Sequence, residues 1–149
     1  MSSETVDTDE DESWFEMELY VIHPTLRPED ISRALGLDAS FSQTVGAPRT
    51  MPSGRPLPGT YASTQWRHGT PRITPDQDFA DRVSGFVESL QLRSDALATL
   101  RAGGGRTLLV IQCLGDYLSD EIPHATLARI VELGLSLGID CFGGSRASS

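Results

Sequence analysis

Residues 107–114, with the sequence TLLVIQCL, decide the fold of this chain. Residues 108–111 are four aliphatic residues in succession. They lack the alternation of apolar and polar residues that a strand with one solvent-exposed face shows. Three glycines, residues 103–105, precede the stretch and Gly115 follows it, so turn-forming residues mark both of its ends. The pattern predicts a central core strand, covered on both faces, on which the other elements pack.

Alternation of apolar and polar residues predicts two further strands, one near each end of the chain. The side chains expected to face the core are Phe15, Met17, Leu19 and Val21 in the first strand and Leu135, Leu137, Ile139 and Cys141 in the last. His23 and Pro24 end the first strand, because the residue before proline is held extended and proline has no amide hydrogen for the ladder. Each strand is expected to have one buried face.

Apolar residues at helical spacing predict four helical segments. Pro28 opens the first and Gly36 ends it, whereas residues 74–77, TPDQ, have the pattern of a capping box that opens the second. Ser94 begins the third and Pro123 opens the fourth. The apolar positions expected to pack inward are Ile31, Leu35, Phe79, Val83, Phe86, Leu90, Leu97, Leu100, Leu127, Ile130 and Val131.

The segment between the first two helices is predicted to be a hairpin with a long loop. Residues 41–45 are a weak strand candidate, because only their ends are apolar, and residues 60–68 have strand composition. Residues 46–59 contain four prolines and three glycines and are expected to form a loop. Such long loops are uncommon in compact domains unless they are functional or mobile.

The length of 149 residues is typical of one domain, and the net charge of −9 makes the chain acidic. Residues 1–13 hold six acids, so we expect a disordered acidic tail, a single domain over 14–143 and a frayed end over 144–149. The sequence has no basic and apolar leader and no run long enough for a membrane span, so we expect a cytoplasmic protein without a membrane partner. Cys113 and Cys141 stand in apolar strand patterns and are expected to be buried free thiols.

Several local features of the chain together resemble the bacterial domain-of-unknown-function family 4279. They are the opening strand that ends in His-Pro, RPEDISRALGL at 27–37, a Gly-Ala-Pro turn at 46–48, a strand ending at Trp66, a Phe/Val helix, and LARIVELGLSLGIDCF at 127–142. The resemblance covers residues 15–142 and implies a compact α+β fold, but no reaction or catalytic residues. The predicted order β-α-β-β-α-α-β-α-β agrees, and indicates a mixed, mainly antiparallel sheet with helices packed on one side.

Residues 39–75 contain four arginines and no acid, although the whole chain is acidic. The candidate binding residues in this segment are Arg49, Arg55, Tyr61, Trp66, Arg67, His68 and Arg72. Arginine and aromatic side chains anchor protein interfaces and grip carboxylates or phosphates. The alternative is that Trp66 is a core residue and the arginines are dispersed surface. The few cations and the negative net charge oppose nucleic-acid binding, so we expect no such partner.

No catalytic or cofactor-binding arrangement can be identified in the sequence. Four possible metal ligands lie within nine residues: Asp116, Asp120, Glu121 and His124. Their spacing matches no known metal loop, and the helix dipole explains acids before a helix start. His23 has no nearby cysteine or serine to activate. We therefore predict no metal, no cofactor and no catalytic residue.

Two functional hypotheses follow. The first is a non-enzymatic protein-binding module, of the immunity or regulatory kind, whose partner is another protein. The second is a small-molecule binder or enzyme that holds an anionic ligand with residues 49–72, in a cleft between loop and sheet. A co-purified ligand, or its absence, would distinguish between them.

Overall fold

The computed structural model describes residues 14–71, 79–115 and 120–142. The expectations for the tail at 1–13, the capping box at 74–77 and the chain end from 143 lie outside these residues. The strands are β1 (Trp14–His23), β2 (Phe41–Gln43), β3 (Pro48–Thr50), β4 (Pro56–Thr60), β5 (Thr64–Gly69), β6 (Arg106–Leu114) and β7 (Ser136–Phe142). The helices are α1 (Pro28–Leu35), α2 (Phe79–Leu90), α3 (Ser94–Ala102) and α4 (His124–Glu132), with a 3-10 turn (Gln91–Arg93) between α2 and α3.

The strands form a five-stranded sheet in the order β2-β5-β1-β6-β7 and a separate hairpin of β3 and β4. β1 is antiparallel to both β5 and β6, β2 is antiparallel to β5, and β7 runs parallel to β6. The predicted α+β fold with a mixed, mainly antiparallel sheet is therefore confirmed. No helix in the described part of the chain is long and apolar enough to cross a bilayer.

The alternation of β1 places its apolar residues on one face of the sheet, as predicted. The buried positions are Phe15, Met17, Leu19 and Val21, and the residues between them are half-buried on the other face. Trp66 of β5 lies opposite Val21. Ile111 of β6 lies opposite Met17. We call this side, where the helices pack, the helix face, and the opposite side, on which no described helix packs, the open face.

The helices complete the core with the residues that their spacing indicated. Buried side chains from α1, α2 and α3 are Ile31, Leu35, Phe79, Val83, Val87, Leu90, Leu97 and Leu100. Phe86 packs only partly against the core, and Val87 takes the inward position that was expected for Phe86. α1 begins with Pro28 and is followed by Gly36, whose φ of 69° allows the left-handed turn that ends the helix.

The structure corrects the predicted place of β6. β1, not β6, is the middle strand, and only one face of β6 is covered by helices. Leu109 and Ile111 point to the helix face, whereas Leu108 and Val110 point to the open face. Val110 is nevertheless only 8% exposed, because it lies between the neighbouring strands β1 and β7.

The prediction of a long loop over residues 46–59 is wrong, because most of these residues form the β3–β4 hairpin. Gly46 and Gly54 have positive φ angles, which allow tight turns that a β-branched residue would resist. Pro48 and Pro56 are tolerated because both strands of an isolated hairpin are edges, where the missing amide hydrogen leaves no ladder bond unmade. Proline and glycine therefore shape this hairpin instead of preventing it.

The expected burial of the last strand and helix is also wrong in part. β7 is the outer strand of the sheet, and Ile139 is 62% exposed. In α4 the inward residues are Thr126, Ile130 and, just after the helix, Leu133, whereas Val131 is 74% exposed. Periodicity identifies which side chains share a face, but it does not say whether another element covers that face.

His23 closes β1 with a buried imidazole that is 2% exposed. Its Nδ1 accepts hydrogen bonds from the backbone N–H groups of Thr25 and Leu26, both at 3.1 Å. An acceptor nitrogen must be unprotonated, and burial lowers the pKa of His23 below its ordinary value of 6.5. The turn between β1 and α1 is thus held by a neutral histidine.

The first prediction tests how far the core covers the helix face across β6 and β7. We expect Ile111→Ala, which truncates a residue that is 2% exposed, to lower the free energy of unfolding by about 2–5 kcal/mol. Ile139 is the register partner of Ile111, and Ile139→Ala should cost about 1 kcal/mol or less because its side chain is mostly in water. Urea unfolding of both variants measures the difference. Equal costs would contradict the assignment of Ile111 to the core.

The second prediction concerns pH. Because the pKa of His23 is lower in the folded protein than in the unfolded chain, the stability that neutral His23 provides is complete above about pH 6.5 and is lost as the pH falls through the folded-state pKa. His23→Asn retains an acceptor near the Nδ1 position but cannot titrate. Between pH 7 and pH 5, the melting temperature of the wild type should therefore fall more than that of His23→Asn. Parallel losses in the two proteins would argue against a role for this histidine.

Candidate functional site

The binding residues predicted from the sequence do not form one cluster. Arg49 and Arg55 lie exposed on the β3–β4 hairpin, and Tyr61 follows it. Arg49 Nη1 donates to the Pro58 carbonyl oxygen at 3.3 Å. The Tyr61 phenol accepts from the Thr50 N–H at 3.2 Å and donates to the Thr50 carbonyl oxygen at 3.3 Å. Arg49 and Tyr61 therefore brace the hairpin.

Trp66 and His68 lie on the helix face, where they fasten α1 and the segment after it to β5. Trp66 is fully buried, and its Nε1 donates a hydrogen bond to Ser32 Oγ at 2.9 Å. The His68 ring stacks beside the indole with 6.2 Å between ring centroids, and its Nδ1 lies 2.6 Å from the Asp38 carbonyl oxygen. Trp66 is thus a core residue in this structure, which agrees with the alternative to a binding role that was stated for it above.

Arg67, between these two residues in sequence, points to the open face instead. Its guanidinium lies over the rings of Tyr20 and Phe41, with the central carbon 4.6 Å and 4.8 Å from the two centroids. Its Nε is buried and has no hydrogen-bond acceptor among the described residues. Cation–π attraction holds this side chain where a carboxylate would ordinarily do so. Arg72, the remaining candidate, lies outside the described residues.

Strand pairing brings three further polar side chains, Glu18, Gln112 and Asp140, to the same depression as Arg67. Tyr20 lies opposite Arg67 across β1 and β5, and Gln112 of β6 lies opposite Asp140 of β7. Gln112 Nε2 donates to Glu18 Oε1 at 3.5 Å, a long hydrogen bond. We call these residues the open-face cluster: Glu18, Tyr20, Phe41, Arg67, Gln112 and Asp140. All of them except Phe41 line a depression of about 220 Å³, which Leu108, Val110 and Gly138 also line.

Glu18 is held in an unfavourable place for a carboxylate. Burial raises the pKa of Glu18 above its ordinary value of 4.5, Arg67 opposes that shift, and the nearby acids Glu16 and Asp140 add to it. The ion pairs found among the described residues do not include Glu18 with Arg67. The cluster therefore presents half-buried charges of both signs whose electrostatic needs are incompletely met within the described structure.

Sequence reasoning identified Arg67 but not the side chains around it. Glu18 and Tyr20 occupy the solvent-facing positions of an alternating strand, and such positions ordinarily indicate only contact with water. Gln112 and Glu18 are 94 residues apart in sequence, so only the pairing of β1 with β6 brings them together. An unusual density of large side chains on the wet positions of β1 is the one signal that could have indicated this face.

A second concave feature, which we call the strand-end cleft, has a volume of about 580 Å³ and lies between β6, β7 and the segment that enters α4. Cys113 and Cys141 lie opposite each other in its wall, and both are free thiols. Cys113 is half-buried, whereas Cys141 is exposed, so the predicted burial is wrong for Cys141. Burial, and then the neighbouring Cys141, raise the pKa of Cys113.

No three histidine, cysteine or acidic side chains in the ranges 14–71, 79–115 and 120–142 lie close enough together to hold a metal ion. Of the four possible ligands noted in the sequence, Asp116 lies outside these ranges. Glu121 and His124 are exposed, and Asp120 lines the strand-end cleft.

Comparison with known proteins gives one family. Residues 13–142 match the family model described as a domain of unknown function, DUF4279. No curated protein and no solved structure matches the chain.

The third prediction tests the environment of Glu18. A raised carboxyl pKa means that the stability linked to this group is complete below the unfolded-state pKa and is lost as the pH rises through the folded-state pKa. Glu18→Gln removes that loss, and we expect the melting temperature at pH 7 to rise by about 1–3 °C, with a smaller gain at pH 4. The control is Glu88→Gln, at an exposed position of α2. A lower melting temperature for Glu18→Gln at pH 7 would show that attraction to Arg67 outweighs burial.

Proposed function

The chain belongs to the family described as a domain of unknown function, DUF4279, and from that premise we propose that it is a non-enzymatic module that binds another protein through the open face of its sheet. Arg67 stands at the centre of the proposed interface. We place this module in the immunity or regulatory class of the first hypothesis. Such a module acts by binding its partner and not by catalysing a reaction.

The observation that carries the proposal is the state of Arg67. Two aromatic rings fix its guanidinium, so little side-chain entropy remains to be lost on binding. Its buried Nε has no acceptor among the described residues. An arginine that is already ordered but incompletely hydrogen-bonded is suited to receive a carboxylate or carbonyl oxygen from a partner.

The surroundings of Arg67 also have the composition of an interface. Phe41 is 44% exposed, and Tyr20 is half-buried beside it, so aromatic surface is available on both sides of the cation. Tyrosine, phenylalanine and arginine are enriched in protein interfaces, and tyrosine and arginine are enriched among their strongest contacts. Glu18 and Asp140 offer acceptors for a donor on the same partner.

The dimensions of the open face favour a protein over a small molecule. The depression beside Arg67 measures about 220 Å³, whereas pockets for drug-sized ligands are about 300–1,000 Å³. The face that contains it extends over five strands, which suits the roughly 800 Å² per partner of an ordinary protein interface. The small-molecule hypothesis required the arginines of residues 49–72 to act together, and Arg49 is instead bonded within the hairpin.

The fourth prediction tests the proposed interface by photo-crosslinking in cells. A photoreactive amino acid at Gln65, on the open face of β5, should crosslink to a partner protein, whereas the same group at exposed Glu88 of α2 should not. Arg67→Ala should lower the yield at position 65 by about tenfold or more, because truncating a central interface arginine costs about 2 kcal/mol or more. Arg82→Ala, which removes the same charge from an exposed position of α2, is the matched control.

Equal crosslinking yields in Arg67→Ala and Arg82→Ala would remove Arg67 from the interface. If no protein is crosslinked at Gln65 and native mass spectrometry of the purified chain shows a bound anionic compound, the small-molecule hypothesis replaces the proposal. In either case the folded state of each variant is checked by its melting temperature.

A further inference from the structure

We infer that the strand-end cleft is a second binding site, and that its ligand is a small apolar molecule carrying one positively charged amine. The site is on the helix-face side of β6 and β7, away from Arg67, and it does not depend on the proposed protein interface.

The size and the lining of the cleft indicate a small apolar ligand. Its volume of about 580 Å³ lies within the ordinary range for ligand sites, which are mostly apolar with a few polar groups. Ile139, Phe142 and Leu127 all line it, and all three are exposed to water. A bound hydrocarbon would cover these side chains, which is favourable because apolar surface leaves water.

The charge of the ligand follows from Asp120. It is the only charged residue among the described residues that line the cleft. Asp120 Oδ1 accepts a hydrogen bond from the Glu121 N–H at 2.8 Å, and the ion pairs among the described residues do not include Asp120. The carboxylate is therefore oriented by the backbone but forms no ion pair with a described residue, so an ammonium group is favoured and a carboxylate is repelled.

The two thiols fit an apolar ligand and also report on it. Neutral thiols behave as small hydrophobic groups, so Cys113 and Cys141 can contact a hydrocarbon without demanding strong hydrogen bonds. Cys141 is exposed and lines the cleft, so alkylating reagents can reach it when the cleft is empty. A ligand that fills the cleft must shield this sulfur.

The fifth prediction uses three compounds with one tail and different heads: dodecylamine, dodecanol and dodecanoate. The rate at which iodoacetamide alkylates Cys141 in the full chain is followed by peptide mass spectrometry at pH 7. Each compound is kept below its solubility limit and, for the two charged compounds, below the micelle-forming concentration. Dodecylamine should protect Cys141 at concentrations about threefold to fivefold lower than dodecanol, the effect of one partly exposed ion pair. Dodecanoate should protect least.

Two substitutions distinguish the effect of Asp120 on binding from the effect of the overall negative charge of the chain. Asp120→Asn keeps an acceptor for the Glu121 N–H and should bring dodecylamine to the level of dodecanol. Glu132→Gln removes one exposed acid at the end of α4, and the preference for the amine should persist in this control.

Five results would overturn the inference, and the first four concern the pattern of protection. They are equal protection by all three compounds, protection by none, an amine preference that survives in Asp120→Asn, and protection that rises with protein concentration alone. The last result, together with a doubled mass in light scattering, would show that a second copy of the chain covers the cleft. Faster alkylation with dodecylamine would mean that the amine unfolds the protein instead of binding it, and would also reject the site.

Discussion

The pairing of β1 with both β5 and β6 is the constraint on which the rest of this structure depends. Shifting β1 by one residue would place Glu16 and Glu18 among the helices and expose Phe15 and Met17 to water. Unpaired carboxylates in an apolar core are too costly for that arrangement to compete. The register is therefore fixed by the core. The same register sets Tyr20 opposite Arg67, so the open-face cluster is the reverse side of the packing that folds the domain.

Much of this fold follows from local patterns. The alternation in β1 predicted its buried face, and Pro28 and Gly36 predicted where α1 begins and ends. The patterns were less informative at the edge of the sheet. Leu135 is buried and Ile139 is exposed, although both belong to the same alternating series. What differs between them is whether the core covers the side chain, and that depends on how the other elements pack and not on the alternation itself.

The candidate site was less predictable than the fold because its residues come from distant strands. The absence of acids in residues 39–75 drew attention to Arg67, but it grouped Arg67 with Trp66 and His68, which point to the opposite face. Alternation along β5 could have separated them, since adjacent strand residues face opposite sides. The meeting of Glu18, Asp140 and Arg67 around one depression required the strand order of the whole sheet, which no local pattern contains.

The position of β1 in the middle of the sheet has a consequence for the growing polypeptide. Trp14 pairs with Leu114, so β1 cannot complete the sheet until about 100 more residues have left the ribosome. At about 5–20 residues per second, this takes on the order of 5–20 s. During that interval β1 has β5 as its first available neighbour, and its other edge stays unpaired. The nascent chain thus carries an apolar strand with an open edge, the form most prone to pairing with other chains.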